Sequence, residues 1–223
     1  MEKDKPISIA SLIAVPAVIT LAVTILRLEG ELHGWPRPWF SAAAGGGGAI
    51  IGISWLPIIF GPYFALKLAG RGDAPEKMGK PIGLTALGLV MLVLGGVLFG
   101  VTISHPSVIT LIAFPIMLIG AVIPRIGWRL LGNTLIAYAF AARIPVLIVM
   151  YLAMRGNGGA GWGTHYDAVA PMFRNASLGA RFFYEAFLPQ MFMWIAYTVI
   201  LGALIGEIIA AVRPGRHASQ VTT

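Results

Sequence analysis

Long apolar runs separated by short polar segments occupy most of the 223-residue chain. A bilayer core about 30 Å thick is crossed by roughly 20 residues of helix, because a helix rises about 1.5 Å per residue. Six runs approach that length, and their predicted boundaries are 7–26, 49–68, 82–103, 108–123, 130–154 and 187–212. The pattern predicts an all-α integral membrane protein. Residues 1–223 form a single transmembrane domain in this interpretation, a compact bundle of about six transmembrane helices.

Composition supports lipid as the solvent and limits the chemistry. The chain is 57% hydrophobic and only 11% charged, which does not suit a water-soluble domain. The net charge of +7 does not indicate a nucleic-acid partner, because the basic residues lie mostly in the gaps between apolar runs. The absence of cysteine excludes a Cys-ligated metal and leaves a His-ligated metal open. The partner that composition predicts is the lipid bilayer, and no cofactor is indicated.

The distribution of Lys and Arg predicts an orientation. Ten of the 16 lie in alternate gaps, and the five on the opposite side are Arg27, Arg37, Arg155, Arg174 and Arg181. The positive-inside rule then predicts a multi-pass protein of the cell membrane with both termini in the cytoplasm. The fourth run, 108–123, is short and contains Pro115, so an incomplete crossing is the alternative to six full spans.

Two further segments and a glycine spacing add detail to the bundle. The aromatic and charged segment 177–187 predicts a short interfacial helix on the outer side that leads into the last span. The four glycines of 45–48 predict an outer loop or a close helix crossing. The GxxxG spacing favours close helix packing within the bundle, with a homo-oligomer or a membrane-complex partner as the alternative. It occurs at Gly48 and Gly52, Gly96 and Gly100, and Gly202 and Gly206.

A short sequence similarity suggests an internal duplication. Residues 12–16 read LIAVP and residues 111–115 read LIAFP, while Pro57 and Pro145 each fall within a predicted span. Halves 1–103 and 104–212 would then form a 3+3 inverted repeat, a design common in secondary transporters. The alternative is chance similarity between sequences that are rich in Leu, Ile and Ala.

Few polar groups lie inside the predicted spans. Arg143 is placed near the middle of the fifth span, where a charge must face protein or water. It either caps the Ala141 carbonyl that Pro145 leaves free or contacts an anionic group in a polar cavity. Glu207 is interpreted as an interfacial structural residue, with a proton or ion pathway as the alternative. Asn133 lies at a similar depth to Glu207. The predicted pathway set is Arg143, Asn133, Glu207, Pro57 and Pro145.

Three histidines fall on the outer side in this topology. His33, His105 and His165, together with Asp167, form a candidate metal or catalytic site, because imidazole and carboxylate ligands suit zinc, copper or iron. Each residue also has a structural interpretation. In particular, Thr164 and Asp167 match a capping box at the start of a helix.

These observations leave three classes of function. A small transporter or permease for an anionic or polar solute, with Arg143 in a central cavity, is the favoured hypothesis. A membrane-embedded enzyme acting on a lipid or quinone at the outer histidines is the second. An accessory or assembly subunit of a membrane complex is the third.

Overall fold

The computed structural model describes residues 8–105 and 107–213, and every regular element within them is helical. The helices are α1 (Ile9–Leu32), α2 (Leu56–Gly70), α3 (Gly79–Thr102), α4 (Val108–Val122), α5 (Pro124–Gly127), α6 (Arg129–Arg155), α7 (Leu178–Arg181) and α8 (Trp194–Val212). π-Helical turns at Phe182–Phe187 and Pro189–Met193 join α7 to α8. We call the end with the connections after α1, α3 and α6 the loop end, and the opposite end the turn end.

Within the described part of the chain, five helices are long and apolar enough to cross a membrane. They are Ile9–Leu32, Gly79–Thr102, Val108–Gly127, Arg129–Arg155 and Leu178–Val212. The fourth predicted span is therefore longer than the sequence suggested, because α5 extends α4 to 20 residues. The predicted interfacial segment 177–187 is also helical from Leu178, and it continues without interruption into the last helix of 35 residues.

Helix α2 begins seven residues later than predicted and is only 15 residues long. All four glycines of 45–48 have positive φ, which confirms a loop there. The residues that follow do not form a helical turn. The backbone N–H groups of Ile50 and Ile51 donate to the carbonyls of Pro38 and Trp39 in the preceding loop, each at a distance of 3.0 Å. Pro57 therefore lies in the first turn of α2, where no helical N–H is lost. Its prediction as a mid-span break is wrong.

Glycines allow helices α2 and α8 to cross closely. A Cβ on Gly61 of α2 would overlap the carbonyl oxygen of Gly202 in α8, and one on Gly206 would lie 2.7 Å from the Gly61 oxygen. The predicted packing role of Gly202 and Gly206 is thus confirmed. The other two pairs behave differently: Gly48 is in the loop, and a Cβ on Gly96 or Gly100 would meet no described atom within 4 Å.

The half of the bundle near the turn end is densely filled, and we call it the packed half. Tyr138 packs edge-on against Phe60 and Phe64, at centroid distances of 5.4 and 5.5 Å, and its hydroxyl lies 2.8 Å from that of Thr20. Helix α3 packs extensively on α4, and α2 on α8. A two-fold repeat would require α1 to pack on α8 as α4 packs on α3. The extensive pairings of the described helices do not include α1 with α8, so the repeat stays a prediction that the packing does not support.

Candidate functional site: a cavity at the loop end

The loop end encloses a cavity of about 430 Å³ between α1, α3, α6 and the last helix. Its position follows from the late start of α2. Where two more turns of that helix would have filled the bundle, the irregular segment around Gly46 and Gly52 forms part of the wall. The turn that carries His165 and Tyr166 forms another part. Most remaining lining side chains are apolar or aromatic, as is typical of a small-molecule site.

Arg143 lines the inner part of the cavity, as the sequence predicted for a charge at this depth. Its side chain is only 4% exposed. The guanidinium carbon lies 4.8 Å from the ring centroid of Trp194, and one terminal nitrogen donates to the Thr198 hydroxyl over a long 3.4 Å. Its Nε has no hydrogen-bond partner among the described residues. A buried cation held by a ring face and one weak hydrogen bond keeps much of its bonding capacity for a ligand.

The Ala141 carbonyl, the predicted protein partner of Arg143, is not bonded to it. No hydrogen bond to the Ala141 carbonyl occurs in the described structure, although Pro145 does lie inside α6. Glu207 lies in the packed half, fully buried, where its Oε1 accepts a 3.1 Å hydrogen bond from Thr85. It forms no ion pair with a described basic residue, and the predicted structural role at the interface stays a prediction. The apolar run around Glu207 had hidden its contact with α3.

Two residues of the π-helical turns add polar atoms to the same cavity. Gln190 is 8% exposed, and its amide nitrogen donates to the Met150 sulfur over 3.6 Å. Glu185 accepts a 2.6 Å hydrogen bond from the backbone N–H of Ala170. The amide oxygen of Gln190, Oε1, and the second carboxylate oxygen of Glu185, Oε2, are both buried without a partner in the described residues. π-Helical turns are frequent at functional sites, because they shift side chains out of the regular helical register.

A buried ionic network fixes the wall of the cavity near the loop end. Arg27 donates from Nε to Glu31 over 2.8 Å and from a terminal nitrogen to the Gly46 carbonyl over 2.8 Å. Glu31 also accepts the backbone N–H of His165 at 2.8 Å, and the His165 ring Nδ1 lies 2.7 Å from the same carboxylate. Three segments that are distant in sequence are thus joined through one fully buried carboxylate.

Tyr166 closes this wall beside His165. Its hydroxyl donates to the Thr24 carbonyl of α1 over 3.3 Å. Burial raises the pKa of Tyr166 well above its usual range, so this hydroxyl remains a neutral donor.

No family model, curated protein or solved structure matches the chain. The assignment of a function therefore depends on the chemistry of the cavity itself.

The predicted metal ligands do not meet in this structure. Among residues 8–105 and 107–213, no group of three His, Asp or Glu side chains is placed to hold a metal ion. His33 lies 3.5 Å from Glu29 on the exposed face of α1, His105 is exposed, and His165 belongs to the network just described. Asp167 accepts from the backbone N–H groups of Gly163 and Thr164, each at 2.9 Å. Its predicted capping contact is confirmed, although it closes a turn and not a helix.

The rest of the predicted pathway set is dispersed. Asn133 is half-buried in α6 near the turn end, and Pro57 is buried at the start of α2. Of that set, Arg143 alone lines the cavity. Arg27 and Glu185 line it as well, and sequence reasoning had assigned them to topology and to a surface helix. Their i,i+4 acid–base spacing, Arg27 with Glu31 and Arg181 with Glu185, was the available signal.

Proposed function

We propose that the protein is a small membrane transporter that carries an anionic solute with an apolar body, and that Arg143 holds the anionic group. The observation that carries this proposal is the buried Arg143 guanidinium, which faces a cavity and has no ion-pair partner among the described side chains. An uncompensated buried cation is costly, and an anionic ligand would remove that cost. The apolar and aromatic walls would take up the remainder of the solute.

The arrangement of the two halves suits one stage of an alternating-access cycle. In the orientation that the Lys and Arg distribution predicts, the cavity belongs to the outer half and the packed half closes the path to the cytoplasm. Opening of the inner side would require α6 and the last helix to move apart below Arg143. Pro145 in α6 and the π-helical turns of the last helix are the places where backbone hydrogen bonding is already irregular. We propose that they act as the hinges of this movement.

Uptake by proteoliposomes tests the proposal. The purified protein is reconstituted and supplied with a panel of radiolabelled aliphatic and aromatic carboxylates and sulfonates. We expect protein-dependent uptake of at least one member, and an Arg143→Ala variant should lower its initial rate tenfold or more, because loss of a buried charge pair costs about 2–5 kcal/mol.

Arg155→Ala is the matched control, since Arg155 is an exposed residue of the same helix outside the cavity. It should leave the rate unchanged. Both variants must elute as a single species from a sizing column in detergent. Uptake that is equal in the wild-type protein and Arg143→Ala, or no uptake of any panel member, would contradict the proposal.

A further inference from the structure

The cavity contains more than a cation, and its unused polar atoms follow an order from the inside to the mouth. Arg143 Nε is a donor, whereas Gln190 Oε1 and Glu185 Oε2 are acceptors, and none of the three has a partner among the described residues. All three residues line the same cavity. Buried polar atoms in folded proteins are nearly always paired, so a concentration of unpaired ones marks the positions where a ligand would bond.

The contacts of each residue give its depth. Arg143 is level with Thr198 of α8, to which it donates. Gln190 is level with Met150, seven residues further along α6, which corresponds to about 10 Å at the helical rise. Glu185 precedes Gln190 in the last helix, more than one turn closer to the loop end, and it is bonded to Ala170 of the loop. The cavity therefore has a cationic inner end, an amide in the middle and an acidic mouth, over roughly 15 Å.

The unpaired Glu185 oxygen at the mouth favours a ligand that brings a donor there over a simple anion. Glu185 has a free carboxylate oxygen and forms no ion pair with Arg181 or any other described residue. A ligand that places apolar groups or a second anion beside this oxygen would leave it desolvated and unbonded, which is unfavourable. A ligand with an N–H donor at this position would satisfy it.

We infer that the ligand of this cavity is an elongated zwitterion, with a carboxylate that binds Arg143 and an ammonium group that binds Glu185 at opposite ends of an apolar body. An ω-amino fatty acid and a short peptide of apolar residues share this chemistry. Four extended residues reach about 13 Å, close to the depth of the site. The inference rests on the proposed function, because it takes Arg143 as the anion-binding residue and adds the requirement for a donor at the mouth.

Three ligands with the same saturated chain test the inference: aminododecanoate, dodecanoate and dodecylamine. Binding of each is measured on the protein in nanodiscs of a zwitterionic lipid, with empty nanodiscs to subtract partitioning into lipid. The dissociation constant of aminododecanoate should be at least about tenfold lower than that of dodecanoate, because a hydrogen bond to a charged group typically strengthens binding by about this factor. Dodecylamine should bind most weakly, since it brings no carboxylate to Arg143.

A second arm distinguishes the two sources of the ligand. Tetraleucine, its N-acetylated form and its C-terminal amide are measured in the same way, and the tighter of tetraleucine and aminododecanoate identifies the preferred body. Both blocked peptides should bind at least tenfold more weakly than tetraleucine.

Variants separate this inference from the proposed function. Glu185→Gln should abolish the advantage of aminododecanoate over dodecanoate, and Glu76→Gln, at an exposed acid of the turn end, should preserve it. Equal binding of the two ligands to the wild-type protein would overturn the inference, yet the proposed function would stand if dodecanoate binding still depended on Arg143. Loss of that dependence, or no binding of any probe, would overturn both.

Discussion

The two halves of the bundle are held together by different means. In the packed half, glycines such as Gly61 and Gly202 let the helix backbones come into direct contact, and aromatic rings such as that of Tyr138 fill the remaining space. In the cavity half, a smaller apolar cluster around Met150 and Tyr166 lies beside the open space, and buried charged side chains, above all Arg27 and Glu31, join the segments of the wall. The difference indicates that shape complementarity closes one side of the molecule, while electrostatics keeps the other side open. Substitutions in each half should therefore fail for different reasons.

The largest effect should come from the ionic network. Glu31→Gln removes the charge that balances the buried Arg27, and breaking a buried ion pair costs about 3–5 kcal/mol. We expect the free energy of unfolding, measured by SDS titration in mixed micelles, to fall by about 3 kcal/mol.

Glu29→Gln is a stringent control, because it changes the same residue type two positions earlier, where the side chain is 49% exposed and faces His33. Its effect should stay below about 1 kcal/mol. Similar losses in the two variants would show that burial of the pair is unimportant.

A smaller effect is expected at the glycine crossing. In Gly61→Ala the new methyl group would overlap the Gly202 backbone, so α2 and α8 must separate, and overpacking of this kind costs about 1–3 kcal/mol. The same SDS titration should show a loss of about 2 kcal/mol. Gly96→Ala provides the comparison, because its methyl group would meet no described atom and alanine favours a helix by roughly 0.5–1 kcal/mol over glycine. A stabilised Gly61→Ala protein would contradict the description of the packed half.

The smallest effect should come from the turn that shapes the cavity wall. Asp167→Ala removes the acceptor of two backbone N–H groups, and loss of such a capping side chain costs about 1 kcal/mol. Because the turn also carries His165 and Tyr166, we expect amide hydrogen exchange at 163–167 to rise while exchange in α2 and α8 is unaffected. Increased exchange in the packed half would mean that the two halves are coupled more strongly than their contacts suggest.

The sequence predicted the helices better than it predicted the space between them. Apolar runs of sufficient length mark helices because lipid and core packing both require them. Helices α3 and α6 follow the predicted runs closely, whereas α1 ends six residues later than predicted. Residues 49–55 are just as apolar, yet they form an irregular segment. Hydropathy measures transfer to an apolar environment and does not register whether the preceding glycines at 45–48 allow a helix to begin there.

The candidate site was predictable in part, most clearly at its buried charge. Arg143 was found because a charge at that depth requires a compensating environment. Glu31 and His165 are 134 positions apart, and no local pattern connects them. Glu185 was assigned to a surface helix for another reason: a π-helical turn rotates it away from the face that a 3.6-residue period assigns.

The short length of α2 has a consequence for how a membrane voltage would act on the protein. Its 15 residues extend about 22 Å, less than the roughly 30 Å of a bilayer core. A space of this volume above the helix, with Arg143, Gln190 and Glu185 among its lining residues, is large enough for several water molecules. In the proposed orientation, water would bring the outer potential down to the depth of Arg143, and the field would fall mainly across the packed half. A charged solute that leaves Arg143 toward the cytoplasm would then cross nearly the whole membrane voltage, an energy of about 2.3 kcal/mol per elementary charge at 100 mV. A solute that enters from outside would cross almost none of that voltage.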